Sequence, residues 1–568
     1  MKARIFWSGL LMGLFALGPV AVWEPLAGVR QRRQSATSPR PRATTLESVV
    51  PQDVAIVVLI RDLLAFREGL RQSALARAIA GTQLPLARYL REVVDPLELA
   101  GAADLGAEAR YALVVPEIAE APRAVVLVET ASDERAARAL ERLRTGLERL
   151  GPVRALQGRP ISIIQATPPP PGTPLGVAHH GRVLLFGPMA AIERLMEDQA
   201  KRPKLAEASA FRLARQRCAG GTAFTFFNLE RLTPYLIGQW TARQSGGALS
   251  LAVPILHFIG LSAFKAVGSS LTFDASGARE EVCALVDRGY NPMIAALMEL
   301  PAIEFTTAHA IPEDAAFAIF AGVDLVRLYN AAVATLGPLL TAQLGGQSPE
   351  AAIALLETQL GFRLKDELLA ALGPEVALAW SASADRLERD LVLSVRNPDL
   401  LRAILEKVVA RQGQRPIAYK AHTIYPVTDE ASIAVTATEA LIARIERVKH
   451  LLDERERGRV LGRTPEFVQW LRERPPQAAL GIYATRAALQ LPWLRPLVIG
   501  ARSDQSFPPH VFTGFGVRDP LGMRGTFASA LGSFVFLDAL LAVRSAAPES
   551  SFLGTLARFT RLLAEGAR

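Results

Sequence analysis

Apolar and polar positions follow the same order in two distant parts of the chain. Residues 125–128 and 391–395 are apolar runs, and each is followed by a polar turn and then by apolar positions three or four residues apart. Continuous apolar runs are typical of buried strands, and the 3–4 spacing is typical of one helical face. Each copy therefore predicts a strand, a turn and a helix, with helical stripes at Ala136, Leu140, Leu143 and Leu147 and at Leu401, Ile404, Leu405 and Val408.

Further segments repeat in the same order, which extends the match over most of the chain. Residues 111–115 match 376–380, residues 183–192 match 433–442, and the hairpin at 267–286 matches 511–529. Asp314 lies 261 positions after Asp53, and Asp519 lies 245 positions after Asp274. Matches at a slowly drifting offset are a signature of internal duplication. The pattern predicts two tandem copies of one unit.

The order of strands and helices predicts an α+β fold. We expect two homologous modules, residues 46–302 and 303–568, each a mainly antiparallel sheet with helices packed on one face. Residues 1–28 are predicted to be an N-terminal membrane anchor or uncleaved signal. Residues 29–45 are predicted to be a basic disordered linker, because they contain almost no apolar side chain.

The anchor prediction depends on the uncharged run at residues 5–23, which follows Lys2 and Arg4 and is long enough to span a bilayer. Signal-peptide cleavage favours small residues, but Pro19 and Pro25 stand two positions before the candidate cleavage residues Ala21 and Ala27. We therefore expect an uncleaved transmembrane helix with the body on the extracytoplasmic side, although the arginines after the run favour the opposite orientation.

Charge and cysteine content narrow the class of protein. The chain has 568 residues and a formal net charge of +9, of which +6 falls within residues 1–45, so no basic patch for nucleic acid is predicted in the body. Only two cysteines are present, Cys218 and Cys283, which excludes a cysteine-rich metal site. Sequence spacing leaves open whether these two form a disulfide.

Motifs for common enzyme chemistry are absent from the sequence. It contains no GxxxxGK[ST], GxGxxG, HExxH, GxSxG or CxxC pattern, so nucleotide binding and the usual zinc, hydrolase and redox signatures have no support. No catalytic residue, cofactor-binding residue or metal ligand is predicted, and no cofactor is expected.

Four weaker patterns have a functional and a structural interpretation. Residues 262–265 (SAFK) match the SxxK of serine acyl-enzymes, and His179-His180 offers two imidazoles. Asp53 and Asp314 occupy equivalent Pro-x-Asp positions, where turn chemistry with local backbone amides is the expected role. Residues 453–459 (DERERGR) are expected to be a solvated face that ends a helix beginning at Glu439. In each case the structural interpretation is favoured.

Several features occur together in this chain. They are an N-terminal apolar segment, a linker, a Pro-x-Asp turn before a strand and the predicted helix SALARAIA at residues 73–80, and a repeat follows them. In these features the chain resembles an uncharacterised bacterial family, a domain of unknown function whose members are predicted envelope proteins. The resemblance covers about residues 45–560. It implies an extracytoplasmic location and transfers no catalytic residue.

These observations favour a membrane-anchored, extracytoplasmic, non-enzymatic binding or scaffold protein of the bacterial envelope. Its expected partners are the membrane, through the N-terminal helix, and an envelope protein or a lipid, with neither nucleic acid nor nucleotide. Two alternatives stay open. A cleft of clustered ionisable side chains would favour an envelope hydrolase, and an enclosed apolar cavity would favour a lipid-binding carrier.

Overall fold

A computed structural model describes the chain from residue 45 to residue 565, with several internal gaps. The predicted anchor at 1–28 and nearly all of the predicted linker at 29–45 lie outside the described residues. The gaps are 100–104, 106–108, 117–123, 157–161, 167–173, 198–201, 243–259, 275–276, 344–346, 383–386, 493, 500–507, 521, 534, 536–537, 540–541 and 543–550.

The described residues form one continuous antiparallel sheet of 20 strands. Its strands in the first half of the chain are β1 (Ile56–Ile60), β2 (Arg110–Val115), β3 (Val125–Glu129), β4 (Val153–Leu156), β5 (Ser162–Ala166), β6 (Leu175–His180), β7 (Val183–Pro188), β8 (Ala223–Asn228), β9 (Phe264–Asp274) and β10 (Gly277–Val286). Those in the second half are β11 (Phe317–Gly322), β12 (Leu372–Ala382), β13 (Leu387–Val395), β14 (Ile417–Tyr419), β15 (His422–Pro426), β16 (Ser432–Val435), β17 (Glu439–Ala443), β18 (Ala478–Thr485), β19 (His510–Asp519) and β20 (Gly522–Ser529).

Helices occur between several of these strands. The α-helices are α1 (Leu46–Val49), α2 (Leu63–Gln72), α3 (Ala74–Ile79), α4 (Pro85–Tyr89), α5 (Asp133–Glu148), α6 (Met189–Met196), α7 (Ser209–Arg217), α8 (Leu229–Ala242), α9 (Pro292–Leu297), α10 (Leu325–Gln343), α11 (Pro349–Leu360), α12 (Pro398–Arg411), α13 (Ile445–Glu456), α14 (Pro465–Arg472) and α15 (Phe552–Glu565). Shorter π and 3₁₀ segments are Leu90–Val94, Asp95–Glu98, Leu205–Glu207, Leu261–Ala263, Thr306–Ala310, Leu364–Leu369, Leu461–Arg463, Arg486–Gln490 and Arg495–Leu497. The α+β class with an antiparallel sheet is thus confirmed.

The spatial order of the strands reads the same from either end of the sheet. From one edge it runs β4-β5-β6-β7-β3-β2-β1-β8-β9-β10. It continues with β20-β19-β18-β11-β12-β13-β17-β16-β15-β14 to the other edge. Each strand of the first half therefore has a counterpart of the same connectivity in the second half.

Helices cover both faces of the sheet, so the prediction of helices on one face was wrong. In β7, Leu184 and Phe186 pack in the core beneath α5, whereas Val183 and Leu185 pack in the core beneath α6. Neighbouring strand residues point to opposite faces, so a continuous apolar run requires cover on both sides. The apolar runs of the sequence already contained this information.

The two halves of the sheet join through β10 and β20. These strands pair antiparallel from Ala278 opposite Ser529 to Cys283 opposite Arg524, and Glu281 lies opposite Thr526 at the middle. The hairpin turns that precede the two strands both end in a glycine with positive φ, Gly277 at 147° and Gly522 at 148°. That conformation is strained for residues with a side chain, so both turns require glycine.

The C-terminal helix α15 lies against the first half of the chain. Phe559 packs on Phe186 of β7, with ring centroids 5.7 Å apart, and the Thr560 hydroxyl donates to the Pro96 carbonyl at 3.2 Å. A side chain at Gly146 of α5 would come within 2.5 Å of the Leu562 carbonyl oxygen. The last helix therefore completes the core of the part of the chain most distant from it in sequence.

The expectation of a transmembrane segment is corrected. In the parts of the chain that the structure describes, every helix is too short or too polar to span a bilayer. The segment on which the expectation was based, residues 1–28, is not among them. The assignment as a membrane-anchored protein therefore has no structural support.

Candidate functional site

A cavity of about 300 Å³ lies in the first half of the chain, beside the residues that immediately precede strand β1. It lies between the turn before β1, helix α6 and the start of helix α8. It is lined by Pro51, Asp53, Val54, Ala55, Pro116, Arg194, Leu195, Arg202, Arg231 and Tyr235. We call this space the Asp53 cavity.

Local backbone pairing brings the first arginine to the Asp53 cavity. Pro51 forms an isolated antiparallel bridge with Lys204. The amide of Gln52 donates to the Pro203 carbonyl at 3.0 Å. These contacts hold the segment around residue 202 alongside the turn, so the Arg202 side chain reaches Asp53.

Strand order brings the second arginine to the same place. Strand β8 pairs antiparallel with β1, so its end lies beside the beginning of β1, and the amide of Asn228 donates to the Ala55 carbonyl at 2.9 Å. Helix α8 starts at the next residue, Leu229. Arg231 in its first turn is therefore placed over Asp53.

The charges of the Asp53 cavity are predominantly positive. Arg202 Nη2 lies 2.7 Å from Asp53 Oδ2, and Arg231 Nη2 lies 3.5 Å from the same oxygen. Arg202 Nη1 also donates to the Arg194 carbonyl at 3.0 Å. The Arg231 side chain is 57% exposed. Two guanidinium groups thus contact one carboxylate, and a third arginine, Arg194, also lines the cavity.

The second half of the chain has an internal ion pair at the corresponding place. Arg447 Nε donates to Asp390 Oδ1 at 2.8 Å, and its Nη2 donates to Asp390 Oδ2 at 2.5 Å and to the Ser381 hydroxyl at 2.8 Å. The Asp390 side chain is fully buried, and that of Arg447 is 10% exposed. A buried carboxylate requires such a bidentate partner.

Strand register identifies the residues that replace this ion pair in the first half. Asp390 lies opposite Ala379 between β13 and β12, the position that Val125 occupies opposite Val114 between β3 and β2. Arg447 is the third residue of α13, and Ala191 is the third residue of α6. The first half therefore has apolar residues where the second half has its own cation and anion, and the two arginines that contact Asp53, Arg202 and Arg231, come from other elements.

The two small motifs of the sequence do not assemble a reaction centre. His179 and His180 end β6, opposite Leu184 and Val183 of β7, so their side chains point to opposite faces. The described residues contain no group of three or more possible metal-ligating side chains. In residues 262–265, Lys265 Nζ lies 3.0 Å from Glu230 Oε1, which is a surface ion pair.

The charged segment 453–459 is partly engaged in ion pairs instead of being a purely solvated face. Asp453 accepts from the Tyr419 hydroxyl at 2.9 Å and from Lys420 Nζ at 2.5 Å. Glu454 is buried and accepts from Arg457 at 2.8 Å and from Arg459 at 2.6 Å. The helix that carries the segment begins at Ile445; Glu439, where the sequence pattern placed its start, belongs to β17.

Among the sequence candidates only Asp53 lines the Asp53 cavity, and its role differs from the one expected. Its carboxylate contacts two guanidinium groups, whereas turn chemistry with neighbouring amides was expected. Asp314 lies in the other half, so the two carboxylates are not one catalytic pair. The arginines were missed because nothing in the local sequence distinguishes Arg194, Arg202 and Arg231 from the many other arginines.

Comparisons with known proteins add no relative. No family model, curated protein or solved structure matches the chain. The geometry of the Asp53 cavity is therefore the observation from which a function has to be argued.

Proposed function

We propose that this is a non-enzymatic binding protein that holds the anionic group of a ligand in the Asp53 cavity. The observation that carries the proposal is the excess of arginines over carboxylates among the lining residues, three against one, in a cavity of about 300 Å³. Arginine presents planar pairs of donors that match carboxylate and phosphate oxygens. The volume is at the low end of small-molecule pockets, which favours a small ligand or the terminal group of a larger one.

The lining of the Asp53 cavity favours binding over the two rival functions. Its ionisable side chains are three arginines, Asp53 and Tyr235. The Asp53 carboxylate is occupied by ion pairs with Arg202 and Arg231, and the lining, among the described residues, contains no histidine, lysine, glutamate, serine or cysteine. A lipid carrier would need an enclosed apolar cavity, whereas this lining carries several charges.

We also propose that the chain consists of two homologous modules, near residues 46–302 and 303–568, that arose by duplication. Three features support this. The strand order is the same from both edges of the sheet, the bridge between Pro51 and Lys204 has a counterpart between Pro312 and Val460, and both hairpins turn at a glycine with positive φ. On this proposal, the second module kept an internal ion pair and the first acquired an open cavity.

The binding proposal is tested by titrating inorganic phosphate and citrate separately into the full chain at low ionic strength and measuring heat. We expect binding of at least one anion, and Arg231→Ala should weaken it about tenfold or more, since a charged hydrogen bond contributes about 1.5–3 kcal/mol. Added salt should weaken binding because partly exposed charges are screened.

A variant of opposite sign and a matched control sharpen the test. Asp53→Asn removes the one carboxylate that competes for the guanidinium groups, so anion affinity should rise. Arg138→Ala removes an exposed arginine from α5, on the opposite face of the sheet, and should leave affinity unchanged. The absence of binding for both anions, or equal losses in Arg231→Ala and Arg138→Ala, would contradict the proposal.

The location and natural partner stay predictions. The resemblance to predicted envelope proteins favours an extracytoplasmic location, and an envelope protein or lipid that carries a carboxylate or phosphate would fit the charge of the Asp53 cavity. Fractionation of cells that express the full chain would test the location.

A further inference from the structure

The two cysteines of the chain are in direct contact. Cys218 Sγ lies 3.1 Å from Cys283 Sγ, although 65 positions separate them in sequence. Cys218 is the C-cap residue that follows helix α7, and Cys283 lies on β10 opposite Gly268 of β9. A covalent S–S bond of about 2.05 Å would require the two sulfurs to approach by only about 1 Å.

The surroundings enclose the two thiols on all sides. Cys218 is 1% exposed and Cys283 is 4% exposed. A side chain at Gly268 would lie 3.1 Å from Cys283 Sγ and 2.8 Å from the Ala214 Cβ, so glycine is what leaves room for the pair. The contact therefore belongs to a packed interior where α7 lies on β9 and β10.

The two thiols differ in acidity because one donates to the other. Cys218 Sγ donates to Cys283 Sγ, and this hydrogen bond raises the pKa of the Cys218 thiol and lowers the pKa of the Cys283 thiol. In the folded chain this hydrogen bond holds the two sulfurs in contact.

Metal binding is a poor explanation for the pair. Structural zinc sites use four ligands of the Cys, His or carboxylate type. Among the described residues no third side chain of these types joins the two sulfurs in a cluster. A pair of thiols in contact with each other is instead suited to covalent coupling.

We infer that Cys218 and Cys283 form an intramolecular disulfide when the chain folds in an oxidising environment. A low-molecular-weight disulfide is the oxidant. Before folding encloses the pair, the thiolate of one cysteine attacks one of its sulfurs and releases one thiol, and the other cysteine then loses its proton and attacks the protein-bound sulfur to release the second thiol. The protein loses two electrons and two protons, and the oxidant is reduced to two thiols.

The disulfide would fasten helix α7 to the strand at which the two halves of the sheet join. Cys283 lies opposite Arg524 of β20 in that junction. A cross-link between residues distant in sequence stabilises mainly by restricting the unfolded chain. The inference does not depend on the Asp53 cavity, so either can fail alone.

The test is to refold the full chain in a mixture of oxidised and reduced glutathione, then to denature it, alkylate free thiols and measure its intact mass. We expect no alkyl group, a mass lower by two hydrogen atoms than that of the reduced chain, and a cross-linked peptide containing both cysteines. Two alkyl groups, a chain that retains glutathione, or disulfide-linked dimers would overturn the inference.

A second measurement separates the bond from packing effects. The oxidised chain should unfold at a higher denaturant concentration than the same chain treated with a reductant. The double variant Cys218→Ala/Cys283→Ala should be insensitive to the reductant, and Cys218→Ser should retain one thiol that is alkylated or carries glutathione. A reductant effect of equal size in the double variant would also overturn the inference.

Discussion

Asp538 is a single side chain that ties the C-terminal part of the chain to the first half. It accepts hydrogen bonds from the Tyr89 hydroxyl at 2.8 Å and from the amides of Phe552 and Leu553 at 2.6 and 3.2 Å. Burial raises the pKa of Asp538 to about 6, although these hydrogen bonds oppose the rise. In the folded chain the Asp538 carboxyl group therefore changes charge in a pH range where the same group in the unfolded chain is already ionised.

This difference in pKa makes stability depend on pH. The folded-state pKa lies above the unfolded value of about 3.9, so the folded chain binds the proton more tightly and stability falls as pH rises through about 6. Between pH 4 and pH 7 this group should lower the free energy of unfolding by up to about 3 kcal/mol. The measurement is chemical denaturation of the parent chain and of Asp538→Asn across this pH range. The free energy of unfolding of the parent chain minus that of the variant should fall as the pH rises. A constant difference would contradict the assignment.

Long sequence separations explain why residue contacts of this kind escaped prediction. Asp53 and Arg202 are 149 positions apart, and Tyr89 and Asp538 are 449 apart. Local patterns contain no information on which of many arginines reaches which carboxylate. By contrast, the polar turn after residues 125–128 was predicted from its neighbours alone, and the hydroxyl of Ser132 in this turn accepts from the Arg135 amide and caps α5.

Helices and strands were predicted better than their packing. The apolar stripe of α5, with Ala136, Leu140, Leu143 and Leu147, is buried as expected. The match of residues 183–192 with 433–442 was wrong, because β7 pairs with β3 as β17 pairs with β13, which places the counterpart of β7 at 439–443. Two similar apolar strands follow one another there, and composition alone cannot choose between them.

The ion pair between helix α13 and strand β13 allows a test of how much the contact between these two elements contributes to stability. Arg447→Ala alone leaves the fully buried Asp390 without its partner and should cost about 3–5 kcal/mol in the free energy of unfolding. The double variant Asp390→Val/Arg447→Ala places at these two positions the residue types that the first half has at the equivalent positions, Val125 and Ala191. It should cost less than Arg447→Ala, as chemical denaturation of the full chain would measure.

The control for this experiment lies on the same helix. Lys449 pairs with Glu446, which is 82% exposed, and exposed pairs contribute less than about 1 kcal/mol. Lys449→Ala should therefore change stability little. A double variant that costs the sum of its two single variants would mean that the ion pair is not a unit, and would weaken the proposed equivalence of the two halves.

Several connections join the halves of the chain among the described residues. They include the pairing of β10 with β20, the packing of α15 on α5 and β7, and the packing of α9 on α10. The repeat in the sequence indicated which segments correspond, but it contained no information on how the two copies contact each other. The pairing of β10 with β20 joins two sheet edges, which any sheet presents. The packing of α15 on α5 and β7 joins elements that hold different positions in the two copies. Unfolding of one half is therefore expected to affect the other.

Phe559 in the last helix offers a direct test of this coupling. It is fully buried and packs on Phe186, so Phe559→Ala should cost about 3–5 kcal/mol. The loss should fall on the first half, although the substitution lies near the C-terminus. Hydrogen exchange of the full chain should accelerate in β3 and β7 more than in β13 and β17. Leu355→Ala, at a residue that is 59% exposed on α11, should leave exchange in all four strands unchanged. Faster exchange confined to β13 and β17 would contradict this packing, because the helix would then stabilise the half of the chain from which it comes.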